Sequence, residues 1–233
     1  MAKVESALIV GAGRGLSASL ARLFAREGMT VALAARNPDK LALLAAETGA
    51  AVHACDASDP QEVADLFETL DTGGVTPDIV VYNPSFRARG PVTDLDPEAV
   101  RKVIMISCYG GFLVAQQAAR RMTARGSGSI QFTGASASVK GFANSSSFAM
   151  GKFGLRGLAQ SLARELQPKN IHVAHFVIDG GIRQGPDDPR AADRGEDGLL
   201  DPDAIAQTCL QTHRQHRSAW TWEVELRPWT EKF

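Results

Sequence analysis

Short runs rich in Val, Ile and Ala alternate along this chain with longer stretches in which apolar residues recur at helical spacing. The short runs are Ala7–Val10, Val31–Ala34, Ala51–Ala54, Ile79–Tyr82, Ser129–Thr133, Val173–Val177 and Glu223–Leu226. Most lack polar alternation, as strands covered on both faces do. The longer stretches are Leu16–Glu27, Pro38–Thr48, Gln61–Leu70, Pro97–Arg125, Phe148–Leu166 and Asp203–His213, whose spacing or length predicts helices. Six strand–helix steps and a closing strand predict an α/β fold with one doubly wound parallel sheet of about seven strands.

The 233 residues fit a single domain, 1–233, and 44% apolar content is enough for a sizeable core. One segment breaks the pattern. Arg183–Gly198 is rich in Gly, Pro, Asp and Arg and poor in apolar residues, so a mobile loop is expected at 183–198, either a substrate lid or a surface insertion. Lys+Arg 25 against Asp+Glu 26 implies no basic face for nucleic acid. Cys55, Cys108 and Cys209 are odd in number and widely spaced, which fits reduced thiols rather than a disulfide scaffold or a zinc site. No apolar run approaches the ~20 residues of a membrane span, and Met1–Ser6 leads straight into a strand, so a cytoplasmic protein with no membrane partner is expected. His53, His172, His175, His213 and His216 lack the further ligands of a metal site, and none is expected.

The turn Ile9-Val10-Gly11-Ala12-Gly13-Arg14-Gly15-Leu16-Ser17 passes from the first strand into the first helix. Such a turn sets free backbone N–H groups and a positive helix end against a phosphate. Leu16 holds the third glycine place of the general dinucleotide fingerprint G-x-G-x-x-G, which therefore fails. A plain tight turn is the alternative.

Ser145-Ser146-Ser147-Phe148-Ala149-Met150-Gly151-Lys152 resembles the active-site helix of the short-chain dehydrogenase/reductase family, marked by Tyr, three residues, then Lys. That family's G-x-x-x-G-x-G spacing is met by Gly11 and Gly15 with Ser17 in the last place, and Val80-Val81-Tyr82-Asn83-Pro84-Ser85 stands where it reads Asn-Asn-Ala-Gly. The resemblance runs from about Ala7 to Leu226. It implies a Rossmann-type domain, a small-molecule substrate and a homodimer or homotetramer built on the Pro97–Arg125 and Phe148–Leu166 helices. It also implies cofactor contacts from Gly11, Gly13, Arg14, Gly15, Leu16, Arg36, Asp56, Ala57, Asn83, Lys152 and Gly180. No Asp or Glu follows the second strand, which runs Ala34-Ala35-Arg36. Arg36 with Arg14 suits a 2′-phosphate, which favours NADP(H) over NAD(H).

The same resemblance exposes a broken catalytic set. Phe148 replaces the Tyr, Ala135 falls at the Ser position with Ser136 one residue on, and Ser107 replaces the Asn that holds a relay water. Only Lys152 matches. Tyr109 lies about 200° from Ser107 around a regular helix. Tyr82 is expected to pack, because it and Asn83 face opposite sides of a strand. Ser136, Ser145, Ser146 and Ser147 can orient substrate or water, and Ser147 also suits a helix cap. Arg87, Arg89, Lys140 and Arg183 either meet an anionic substrate or are solvated loop charges. Ala219–Trp229 suits a subunit interface or packing on its own subunit. The functions left open are an NADP(H)-dependent oxidoreductase with an altered tetrad, acting on C=O, C=N or activated C=C, and a cofactor-binding sensor or partner subunit without turnover.

Overall fold

The computed structural model describes residues 4–185 and 187–231. Met1–Lys3, Pro186 within the expected loop, and positions 232–233 of the single domain lie outside the described residues. Seven strands, β1 (Ser6–Val10), β2 (Thr30–Ala35), β3 (Ala51–Ala54), β4 (Ile79–Tyr82), β5 (Gly128–Thr133), β6 (Ile171–Ile178) and β7 (Glu223–Leu226), form one sheet. They pair in the order β3-β2-β1-β4-β5-β6-β7, every pair parallel. The chain reverses its winding between β1 and β4, and a crevice opens at the carboxyl ends of strands flanking such a switch.

Strand alternation builds a core on each face. Leu8, Val10, Val80 and Tyr82 point to the side covered by α3 (Pro60–Thr72), α5 (Gly110–Arg125) and α6 (Ser146–Leu166), where they meet Phe67, Leu113 and Leu155. Ala7, Ile9 and Val81 point the other way, onto Leu20 and Phe24 of α1 (Leu16–Arg26), Leu44 of α2 (Ala42–Thr48) and Leu210 of α8 (Pro202–His213). Phe24 and Phe67 are fully buried. Cutting either to Ala would cost about 3–5 kcal/mol.

Asp-Pro pairs start three helices. Asp59, Asp96 and Asp201 each accept backbone N–H bonds from the first turns of α3, α4 (Pro97–Ile104) and α8, with the proline at the first helical position. The stretch expected as one helix over Pro97–Arg125 is interrupted by a π turn at Met105–Tyr109. There the Gly110 N–H reaches back to the Met105 carbonyl, and the Ile106 carbonyl accepts the buried Tyr82 hydroxyl instead. Gly110 is tied to this arrangement, because a Cβ on it would lie 2.4 Å from both the Ala57 carbonyl oxygen and the Tyr82 hydroxyl.

Residues 183–198 carry more local structure than their composition implied. A short helix, α7 (Arg190–Arg194), follows Asp188, whose buried carboxylate accepts from the Gln184 and Arg190 amides and pairs with the Arg190 guanidinium at 2.6 Å. Polar self-capping replaces an apolar core here. At the far edge, Trp222 packs on the core, and Trp220 stacks on His172 at 4.7 Å, so these parts of the carboxy-terminal segment bury against their own subunit. Trp229 is exposed.

Candidate active site

Two clefts of about 770 Å³ each open at the carboxyl ends of the strands and share Asn83 and Ser85. The first is walled by the β1–α1 turn, the end of β2 and the end of β3. Gly11 has a positive φ of 78°, and a Cβ there would fall 2.6 Å from the Pro84 nitrogen, so only glycine fits. At Gly13 an added Cβ would meet nothing within 4 Å, which leaves that backbone open to the cleft. The α1 amino terminus has no side-chain cap and no acidic residue in its first turn. Its free N–H groups and positive end suit a phosphate.

Arg14, Arg36 and Lys40 line this cleft with Asp56 and Ala57. Burial pushes the Asp56 carboxyl up, but hydrogen bonds from the Ser58 hydroxyl and amide, with the charges of Arg36 and Lys102, bring it below its ordinary value. It is a fixed acceptor opposite the cations. Lys40 was not among the residues expected here; the turn Pro38–Leu41 carries it to the wall, and a short irregular turn leaves little periodic signal. Leu16 and Gly15 do not line either cleft. The Leu16 side chain enters the core at 2% exposure because it opens the buried face of α1, and Gly15 faces Gln184 of the long loop.

Asn83 acts as a strut between the clefts. Its side-chain nitrogen donates to Ser17 Oγ at 2.7 Å, its oxygen accepts from Thr133 Oγ1 at 2.7 Å, and Ser17 Oγ donates to the Gly11 carbonyl at 3.1 Å. The phosphate turn is thereby tied to the end of β5. One N–H and one oxygen lone pair of the Asn83 amide are used on this scaffold, and the residue still lines both clefts, with a second N–H left on its nitrogen.

The second cleft holds Lys152, Phe148, Ala135, Ser136, Ser145 and Gly180. Lys152 is 3% exposed and donates to the Thr133 carbonyl at 2.7 Å. Burial of the ammonium, and then the charge of Arg87, push its pKa down to about 7. Phe148 packs on Ala135 and Ala137, with Arg87 Cζ 4.1 Å and Lys152 Nζ 5.9 Å from its ring centroid. Ser136, one residue beyond Ala135, also lines the cleft.

Ser107 lies elsewhere. It is fully buried in the π turn, close against Gly151 of α6, and lines neither cleft. Neither of the chain's two tyrosines supplies a phenol to a cleft wall. Tyr82 spends its hydroxyl on Ile106 under a core that pushes its pKa up, and Tyr109 packs against the core and Phe112. Ser147 is not the cap of α6; Ser145 holds that place, and Ser147 Oγ, fully buried, donates to the Ala88 carbonyl at 2.6 Å. Among the described residues no group of three or more His, Cys, Asp or Glu is arranged to hold a metal, and no helix is long and apolar enough to cross a membrane.

The chain matches the short chain dehydrogenase family profile over residues 5–183. It is 34% identical over 192 residues to a trans-4-hydroxycyclohexanecarboxylate dehydrogenase of Sinomonas cyclohexanicum, an alignment covering 76% of this chain and 72% of that protein. A short-chain dehydrogenase from Rhodopseudomonas palustris superposes with a TM-score of 0.84 at 36% identity, covering 97% of this chain and 99% of that one. A metagenomic short-chain oxidoreductase solved in complex with NADP superposes at 0.82 with 26% identity, covering 96% and 97%. With the strand order, the glycine turn and the buried Lys152 already in place, the chain belongs to the short-chain dehydrogenase/reductase family of oxidoreductases.

Proposed function

We propose that this protein is an NADP(H)-dependent oxidoreductase in which Lys152 takes over the proton work of the missing tyrosine, acting on a small organic C=O, C=N or activated C=C group. The observation that carries this is the state of Lys152, buried in the substrate cleft with its pKa down at about 7 and no phenol on the cleft wall. A general acid works best when its pKa lies near the operating pH.

The first cleft fits a dinucleotide. The Gly11–Gly13 backbone and the α1 amino terminus would hold the pyrophosphate, Arg14, Arg36 and Lys40 would meet a 2′-phosphate, and Asp56 would face the adenine end. Bound there, NADPH supplies a hydride. The relative solved with NADP supports that cofactor.

At the second cleft, Lys152 donates a proton to the atom that gains negative charge and is left as a neutral amine. Burial makes that neutral form accessible at ordinary pH. Ser136 can orient the reacting oxygen or nitrogen, and Phe148 with Ala135 keeps one side of the cleft dry. Gln184, Arg190 and Arg194 line the second cleft, and Gln184 also lies against Gly15 of the glycine turn, which supports reading this segment as a lid. The Sinomonas relative, named for a ring alcohol bearing a carboxylate, supports a substrate of the alcohol or ketone class.

The test is NADPH oxidation against a panel of ketones, imines and enones, by the unmodified protein and by Lys152→Met. Turnover that disappears in the variant while NADPH still binds supports the proposal. NADPH binding with no turnover across the panel points instead to a sensor or partner subunit.

A further inference from the structure

Six cations line the second cleft, and their surroundings divide them. Lys140 pairs with Asp179 at 3.6 Å, Arg190 with Asp188 at 2.6 Å and Arg194 with Glu231 at 3.6 Å. Lys152 gives one N–H to the Thr133 carbonyl and is assigned above to the proton step. Arg87 and Arg89 are left, and among the described residues neither has a carboxylate within pairing distance.

These two are held in place. The Ser147 hydroxyl grips the Ala88 carbonyl between them at 2.6 Å, and the Gly90 amide donates to the Asn144 carbonyl at 3.1 Å. One clamp comes from the first turn of α6, the helix that carries Phe148 and Lys152, and the other from Asn144 just before it. The Arg87 guanidinium is set over the Phe148 ring, with its Cζ 4.1 Å from the centroid. Such a stack fixes the plane of the fork and leaves its edge free for hydrogen bonds. Arg87 and Arg89 are both exposed at the cleft, so their free edges are open to a ligand.

We propose that Arg87, supported by Arg89, is the recognition site for a carboxylate on the substrate, so that this oxidoreductase acts on keto, hydroxy or related acids. The inference rests on the oxidoreductase reading above and names its substrate class. A planar carboxylate matches the guanidinium fork with two parallel hydrogen bonds, and an anion there fills the charge gap that the other cations of the cleft have already closed. The distances of 4.1 Å and 5.9 Å from Phe148 also limit the reach: Arg87 Cζ and Lys152 Nζ lie within about 10 Å of each other, the span of a small acid whose reacting group lies at the far end. Burial, and then the repulsion of Arg89, push the Arg87 pKa down, as expected of a cation that lacks a counter-ion.

The experiment uses the NADP⁺-saturated protein, which binds a ketone without reducing it. Calorimetry compares 4-acetylbenzoate, its methyl ester and 4-acetylphenyl phosphate. The acid is expected to bind at least about tenfold tighter than the ester. Arg87→Gln should remove that preference with ester binding unchanged, and Arg89→Gln should reduce it in part. Retained NADP⁺ affinity shows that each variant is folded. Equal binding of acid and ester, or an acid preference that survives Arg87→Gln, overturns the site. A phosphate bound clearly tighter than the carboxylate overturns its chemical class. NADP⁺ binding and ketone turnover without acid preference would sink this inference alone, whereas acid binding with no turnover of any panel substrate would sink the oxidoreductase reading alone.

Discussion

On the proposed reading, in which Phe148 stands at the family's tyrosine position, Phe148→Tyr restores the phenol. Phe148 lines the 770 Å³ cleft, so a para-hydroxyl enters the cleft wall rather than the closed core. The new phenol would stand near two cations, since Arg87 Cζ and Lys152 Nζ lie 4.1 Å and 5.9 Å from the ring centroid, and both charges favour its ionised form. A positioned general acid contributes about 10²–10⁴-fold, or roughly 3–5 kcal/mol. Ala135 offers no hydroxyl and the buried Ser107 does not line the cleft, so the gain is expected at about 10- to 100-fold in kcat for simple ketones. Substrates that need no proton from the protein, such as protonated imines, should change little. The assay is steady-state reduction of a ketone and an imine at saturating NADPH by the two proteins. Brisk ketone reduction by the Phe148 protein, left unchanged by the tyrosine and insensitive to Lys152→Met, would refute the reasoning.

Arg36→Asp should shrink the preference for NADPH over NADH by about tenfold or more, because a carboxylate repels the 2′-phosphate that the arginine attracts; calorimetric titration of both cofactors measures it. Phe112, Met150 and Phe153 are exposed along α5 and α6, so we predict a homodimer or homotetramer that Phe153→Glu weakens, read by light scattering. Burial holds neutral His175 down at about 4 from an ordinary 6.5, so the unfolded chain takes up its proton first and stability should fall as pH drops from 6.5 towards 4. Urea unfolding across that range checks the slope, which His175→Gln should flatten. Lys152→Met removes a buried ammonium at the cost of one hydrogen bond, and at pH 6 it should stabilise the protein by about 1–3 kcal/mol in the same assay.

The centre of the sheet was legible because β1, β2 and β4, buried on both faces, write themselves as nearly uninterrupted apolar runs, and each observed strand lies within two residues of its expected ends. The π turn was not, since Met105–Tyr109 continues the helical spacing and only the distant Tyr82 hydroxyl, arriving from β4, makes the wider turn stable. At the site, the glycine turn and Lys152 were readable because each motif is local. The scaffold bonds of Asn83 and Ser147 were not readable, because each answers to a partner far along the chain: Asn83 to Ser17 and Thr133, Ser147 to Ala88. The division of arginines into paired and unpaired depends on which acids fold beside them, which spacing alone does not encode.

The most direct test of Lys152 as the proton donor is the pH dependence of single-turnover NADPH oxidation with a ketone substrate. With the lysine pKa at about 7, the rate is expected to hold below neutral pH and to fall about tenfold per unit above it as the donor loses its proton, with only a flat residual rate in Lys152→Met. A rate that stays level from pH 6 to 9, or that keeps its full size in the methionine variant, would contradict the account.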